Sequence, residues 1–95
     1  MIFNYSYSYK QNPFSYGNQP VSVIASFAVD GRFIPIYFKY SSEENTMTFK
    51  IDGVQYTKDK PDCIIFCCNI TNNNIRQQVN LIFRYNECRW ILGEG

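Results

Sequence analysis

Residues 21–40 read Val-Ser-Val-Ile-Ala-Ser-Phe-Ala-Val-Asp-Gly-Arg-Phe-Ile-Pro-Ile-Tyr-Phe-Lys-Tyr. Apolar and polar positions alternate on both sides of Asp30-Gly31, the pattern of two half-buried strands joined by a tight turn. Asp-Gly suits a type I′ loop, whose two central residues need positive φ. With that pair as the loop, Val29 faces Arg32, Phe27 faces Ile34, Ala25 faces Ile36 and Val23 faces Phe38. Val21, Val23, Ala25, Phe27 and Val29 then share one face with Ile34, Ile36, Phe38 and Tyr40. Turn chemistry and hydrophobic pattern give the same register, as a specified hairpin requires. Pro35 falls opposite Ser26 and has no N–H to give a strand on its other side, which predicts a sheet edge or a bulge.

Working outward, a second Asp-Gly pair at Asp52-Gly53 predicts a hairpin between residues 46–51 and 54–57. It pairs Ile51 with Val54 and Phe49 with Tyr56, with Met47, Phe49 and Ile51 inward and Thr46, Thr48 and Lys50 in water. Residues 41–45 and 58–61 read as polar loops. Residues 62–71 are apolar on both faces, with Cys63, Ile65 and Cys67 on one and Ile64, Phe66, Cys68 and Ile70 on the other. That marks a central strand, or one curving through a small barrel. Asn72-Asn73-Asn74 turns the chain, because Asn adopts the left-handed conformation more readily than other non-glycine residues. A strand over 75–85 puts Val79, Leu81, Phe83 and Tyr85 inward. Asn86-Glu87 turns it into residues 88–92, setting Phe83 opposite Trp90 and Leu81 opposite Leu92. No segment carries the i, i+3, i+4, i+7 stripe of an amphipathic helix.

The composition fits one globular domain: 95 residues, 45% hydrophobic and 18% charged, with 8 Phe, 8 Tyr and 1 Trp. Disordered chains lack such apolar and aromatic content. The expected architecture is all-β: a small antiparallel meander of six to seven strands forming a closed or nearly closed barrel. A two-sheet roll or sandwich is the alternative. Closure covers both faces of the doubly apolar strand and hides the sheet edges. The first residues differ in character. Tyr5, Tyr7 and Tyr9 alternate with Ser6 and Ser8, and residues 11–20 hold two Pro, one Gly and two Asn. This divides the chain into a tyrosine-rich strand and linker over 1–19 and a β domain over 20–95. The tyrosine strand belongs either to the same domain or to an exchange with another subunit or partner.

The longest apolar run spans residues 63–68, far short of the roughly 18 residues of a membrane helix. The N-terminus has no basic region followed by an apolar stretch, so the expected compartment is the reducing cytoplasm. Cys63, Cys67, Cys68 and Cys88 then read as free thiols. As zinc ligands they fit poorly: Cys63 and Cys67 lie on a strand, and Cys67 and Cys68 point to opposite faces, whereas structural zinc sits in knuckles on tight turns. With no histidine, no glycine-rich phosphate loop and no nucleophile elbow, there are no candidate catalytic residues, and no metal or cofactor is expected.

The net charge of +1 gives no general attraction to nucleic acid or to an anionic membrane. Local charge is more informative. The Asn86-Glu87 turn sets Arg84 directly opposite Arg89 on the outer face, where like charges weaken a ladder unless something anionic bridges them. Glu87, Glu43, Glu44 or water can do so, and so can a phosphate or carboxylate of a partner. Ile82 and Ile91 beside them give this face the look of a protein interface. Arg32, after the first turn, is a solvated strand end or a third contact.

Asp30-Gly31-Arg32-x-x-Pro35 with an aromatic at Tyr40, then Ile51-Asp52-x-Val54 and a closing Arg89-Trp90, resembles a family of short bacterial proteins of unassigned function. The resemblance spans residues 21–92. It departs from the family at Tyr40, where Trp is usual, and at Gly53, where a basic residue is usual; the cysteines are not part of the pattern. The resemblance implies genes near translesion-type polymerases, and hence accessory work in DNA repair, but supplies no catalytic residue. The expected function is a non-enzymatic binding or assembly module. It would self-associate as a dimer, or bind another protein, through a sheet edge or through Tyr5, Tyr7 and Tyr9. The competing reading is a nucleic-acid accessory domain using Arg32, Arg84 and Arg89 with exposed tyrosines. A small enzyme ranks third.

Overall fold

The computed structural model describes residues 18–41 and 45–93. Seven strands follow the alternating segments: β1 (Gln19–Phe27), β2 (Phe33–Ser41), β3 (Thr46–Lys50), β4 (Gly53–Asp59), β5 (Cys63–Asn72), β6 (Ile75–Arg84) and β7 (Arg89–Gly93). Among the described residues there is no helix. The spatial order is β3-β2-β1-β7-β6-β5-β4, and the paired neighbours run antiparallel. The all-β meander is therefore observed, curled into an open but nearly closed half-barrel.

The curl is driven by burial. Phe38, Phe66, Cys68, Ile70, Leu81 and Leu92 lie on the inner face, each at most 2% exposed, and Val79, Phe49 and Ile51 complete the core. Removing such side chains from water contributes about 1.5–3 kcal/mol each. β5 shows the two-sided burial its sequence implies, since Ile65, Phe66, Cys67 and Cys68 are all buried in succession. The β5–β6 turn also forms as expected: Asn73 and Asn74 both take positive φ, at 55° and 65°. The β6–β7 register, with Arg84 opposite Arg89 and Phe83 opposite Trp90, is the anticipated one.

Three expectations are corrected. First, Asp52-Gly53 makes no hairpin. β3 pairs with β2 and β4 with β5, so the two strands stand at opposite ends of the order although they are consecutive in the chain. Gly53 has no positive φ. Ile51 N–H donates to Ile36 C=O at 2.8 Å and Asp52 N–H to Asn69 C=O at 2.7 Å. The Asp52 carboxylate accepts from the Thr71 hydroxyl at 2.7 Å. Bonds to both β2 and β5 thus carry the chain around a corner, and the core positions Phe49 and Ile51 stay inward. Met47 does not; it is exposed.

Second, the first loop has three residues. Gly31 N–H donates to Ala28 C=O at 2.9 Å, and Ala28 N–H donates to Arg32 C=O at 2.7 Å. Gly31 alone takes positive φ, at 94°, which matches a turn closed by a left-handed glycine rather than a type I′ pair. Phe27 consequently pairs with Phe33, and Ala25 with Pro35. A bulge then restores Val23 opposite Phe38, with Ile36 the extra residue. The bulge foreseen at Pro35 is present, and its consequence is a change of phase. Phe33 and buried Pro35 point inward in place of Ile34 and Ile36.

Third, Tyr85 is exposed. Its hydroxyl donates to Asp59 at 2.8 Å instead of entering the core.

Candidate interaction surface

The β1–β2 hairpin forms an arm that continues past the barrel wall. β7 accompanies β1 only where Gln19, Pro20 and Val21 pair with Leu92, Ile91 and Trp90, and β3 accompanies β2 only from Tyr37 onward. Beyond those points the arm holds to the barrel through Phe33. Its ring lies 5.6 Å from Phe66, 5.4 Å from Phe83 and 6.0 Å from Trp90, and Phe27 stacks on it at 5.1 Å. Such aromatic contacts add about 0.5–1.5 kcal/mol each beyond burial.

The arm gathers most of the exposed large apolar side chains. Ile24 is 65% exposed, Phe27 68% and Ile34 42%, Tyr37 is exposed, and Val29 at the tip is fully exposed. Ile24 pairs directly with Tyr37 and Ser26 with Ile34, so the outer face carries a connected apolar patch. Residues 22–27 of β1 also keep an edge with no partner strand among the described residues. This patch is what sequence reasoning missed. Pro35 was the available signal, since a bulge beside it reverses which side chains of β2 face out.

Beneath the tip lies a cleft of about 490 Å³. Asp30, Gly31 and Arg32 form one wall, Thr57 and Ile64 the other, and Phe33 and Phe66 the floor. Arg32 is fixed to its own turn: Nε donates to Asp30 Oδ2 at 2.8 Å and the backbone N–H to Oδ1 at 3.1 Å. Arg84 and Arg89 sit opposite one another as expected, and Glu87 lies 3.4 Å from Arg84 Nε. The three arginines do not converge. Phe33, next to Arg32, packs on the inner side of β6–β7, whereas Arg84 and Arg89 alternate with inward Phe83 and Trp90 and so project outward. Ile82 and Ile91 are half-buried rather than exposed, because they continue a cross-strand row from Ile65. Tyr5, Tyr7, Tyr9, Glu43 and Glu44 lie outside the described residues.

Several thiols and phenols are held above their ordinary range. Burial pushes the Cys68 thiol up to about 12, and neighbouring Cys67 adds to it. Burial and then Asp62 raise Cys63. Tyr56 is raised by a hydrogen bond to Cys67, and Tyr85 by its bond to Asp59. Each of these shifts favours the protonated, neutral form of its side chain. Among the described residues no cluster of three or more His, Cys, Asp or Glu can hold a metal ion, and no helix is long and apolar enough to cross a membrane. No protein-family model matches the chain, and neither a curated protein nor a solved structure matches it.

Proposed function

We propose that the chain is a non-enzymatic binding and assembly module whose working part is the β1–β2 arm. The observation that supports this reading is the exposure of Ile24, Ile34 and Tyr37 together on the outer face of one hairpin while the same residue types fill the core elsewhere. Contiguous exposed apolar surface on a small domain marks interaction sites. The arm suits presentation, because Phe33 anchors its base and the tip stays open. Sedimentation velocity across a concentration series tests the reading. The full chain associates with itself, and an Ile34→Ser/Tyr37→Ser variant, changed only on the exposed outer face of the arm, keeps its circular dichroism and loses association. A wild-type chain that stays monomeric, or a variant that associates unchanged, overturns it.

The side-by-side Arg84 and Arg89 favour a second reading, attachment to nucleic acid, in line with the resemblance to short bacterial proteins. Anisotropy of a labelled single-stranded oligonucleotide decides it. Binding that weakens steeply with salt and disappears in Arg84→Ala/Arg89→Ala supports this second reading against the first.

A further inference from the structure

Among the described residues the sheet has several edges without a partner strand, and nearly all are guarded. β3 is short and ends in Lys50. β4 carries a bulge at Gln55 and the charges Lys58 and Asp59. The part of β2 that β3 does not reach holds Pro35 and the Ile36 bulge, and its Ile36 carbonyl is taken by Ile51. Charges, proline, bulges and shortness are how native sheets prevent unwanted pairing. Residues 22–27 of β1, Ser-Val-Ile-Ala-Ser-Phe, have none of these devices. They lie in the lane that β7 leaves at Arg89. Which amides face that lane follows from the turn. Ala28 donates its N–H to Arg32 C=O and accepts from Gly31 N–H, both on the β2 side of the hairpin. Alternation along an extended strand then turns Phe27, Ala25 and Val23 toward the side that has no partner strand among the described residues. The bulge falls on β2, so β1 keeps this alternation.

We infer that this edge receives the same edge of a second copy of the chain, the two β1 strands running antiparallel about a twofold axis at Ala25, which sets Val23 opposite Phe27 of the other copy. This rests on the assembly reading above and names its partner and contact. An uncharged segment offers nothing to select a charged partner, and an antiparallel copy is complementary to itself by symmetry. The pairing also brings together the two outer patches of Ile24, Ile34 and Tyr37, which gives apolar burial in addition to the backbone bonds. The shared strand is about 20 Å long at roughly 3.4 Å per residue.

Hydrogen–deuterium exchange on the full chain, read at single amides over a concentration series, tests this alongside sedimentation. Val23, Ala25 and Phe27 gain protection as the dimer forms, while Ile24 and Ser26, which face β2, change little. Ile24→Lys places two like charges beside the axis and weakens the dimer at least about tenfold; its native position is exposed, so the fold remains. Protection of the three amides that does not depend on concentration means that the chain's own residues occupy the edge, and overturns the inference. Association without protection there, or unchanged by Ile24→Lys, overturns it and leaves the assembly function standing. A chain monomeric at every concentration removes both.

Discussion

The body made of β5, β6 and β7 and the arm made of β1 and β2 use the same antiparallel grammar and end in opposite conditions. In the body, every β5 residue from Cys63 to Asn72 pairs with β6 without a shift, and Phe66, Cys68, Ile70 and Leu81 are sealed from water. In the arm the register slips and recovers within a few residues, and Ile24, Phe27 and Val29 stay wet. The two regions do not differ in residue type. They differ in what lies opposite: the body's inner face meets the curled sheet, while the arm runs past its end. Alternation therefore specifies a strand, and only topology specifies which alternate face is covered.

The sharpest way to break this comparison is to truncate one side chain in each region. Leu81→Ala, at a site with no solvent exposure, lowers stability by about 2–5 kcal/mol because the surrounding sheet cannot collapse onto the void. Val29→Ser at the arm tip changes it by no more than about 0.5 kcal/mol. Urea denaturation of both variants at neutral pH gives the ratio, and comparable losses would show that the tip is buried in the working protein.

What the sequence made legible follows the same division. The β5–β6 turn could be read from Asn73-Asn74 and the β6–β7 register from Asn86-Glu87, because each turn joins strands whose inward faces both find cover. The Asp52-Gly53 reading failed although its dipeptide is a stronger hairpin signal. Turn propensity is a local preference worth about a kilocalorie, and carrying Phe49 and Ile51 into the core around a corner outweighs it. The arm failed more subtly. Pro35 announced a bulge, but the identity of the extra residue depends on which partners Phe33 finds across the barrel, and Phe66, Phe83 and Trp90 are distant in sequence. Of the candidate site, the Arg84/Arg89 juxtaposition was legible since it rests on one turn. The apolar patch was not, since it depends on the bulge.

Alkaline pH probes the body through Cys68. An unfolded thiol ionises near 8.5, whereas buried Cys68 holds its proton up to about 12. Below about pH 8.5 both states carry the proton and stability is independent of this group. Between the two values only the unfolded chain has lost it, so stability falls as pH rises, by at most about 1.4 kcal/mol per pH unit for one proton. Denaturation midpoints at pH 8, 9.5 and 11 should decline in the wild type. Cys68→Ala starts from lower stability, because it leaves a cavity, but declines less steeply. Equal slopes would mean that Cys68 is open to water, contrary to a sealed body.

The smallest expected effect bears on whether arm and body unfold together. Gly31 holds φ at 94°, and no atom lies within 4 Å of where a Cβ would sit. Gly31→Ala therefore meets no clash, and its cost is purely that of a left-handed backbone, about 1 kcal/mol. Where that cost is felt depends on Phe33, the side chain linking the arm to Phe66, Phe83 and Trp90. If the link makes one cooperative unit, the urea midpoint moves by the full amount. If the arm opens by itself, the midpoint hardly moves, and the amides of Ala28 and Gly31, bonded at 2.7 and 2.9 Å, exchange about fivefold faster, the same kilocalorie expressed locally. The anchoring described here requires the first outcome in the wild type. It requires the second once Phe33→Ala has cut the link, because an arm without its aromatic anchor has only the short β1–β7 and β2–β3 pairings to hold it to the barrel.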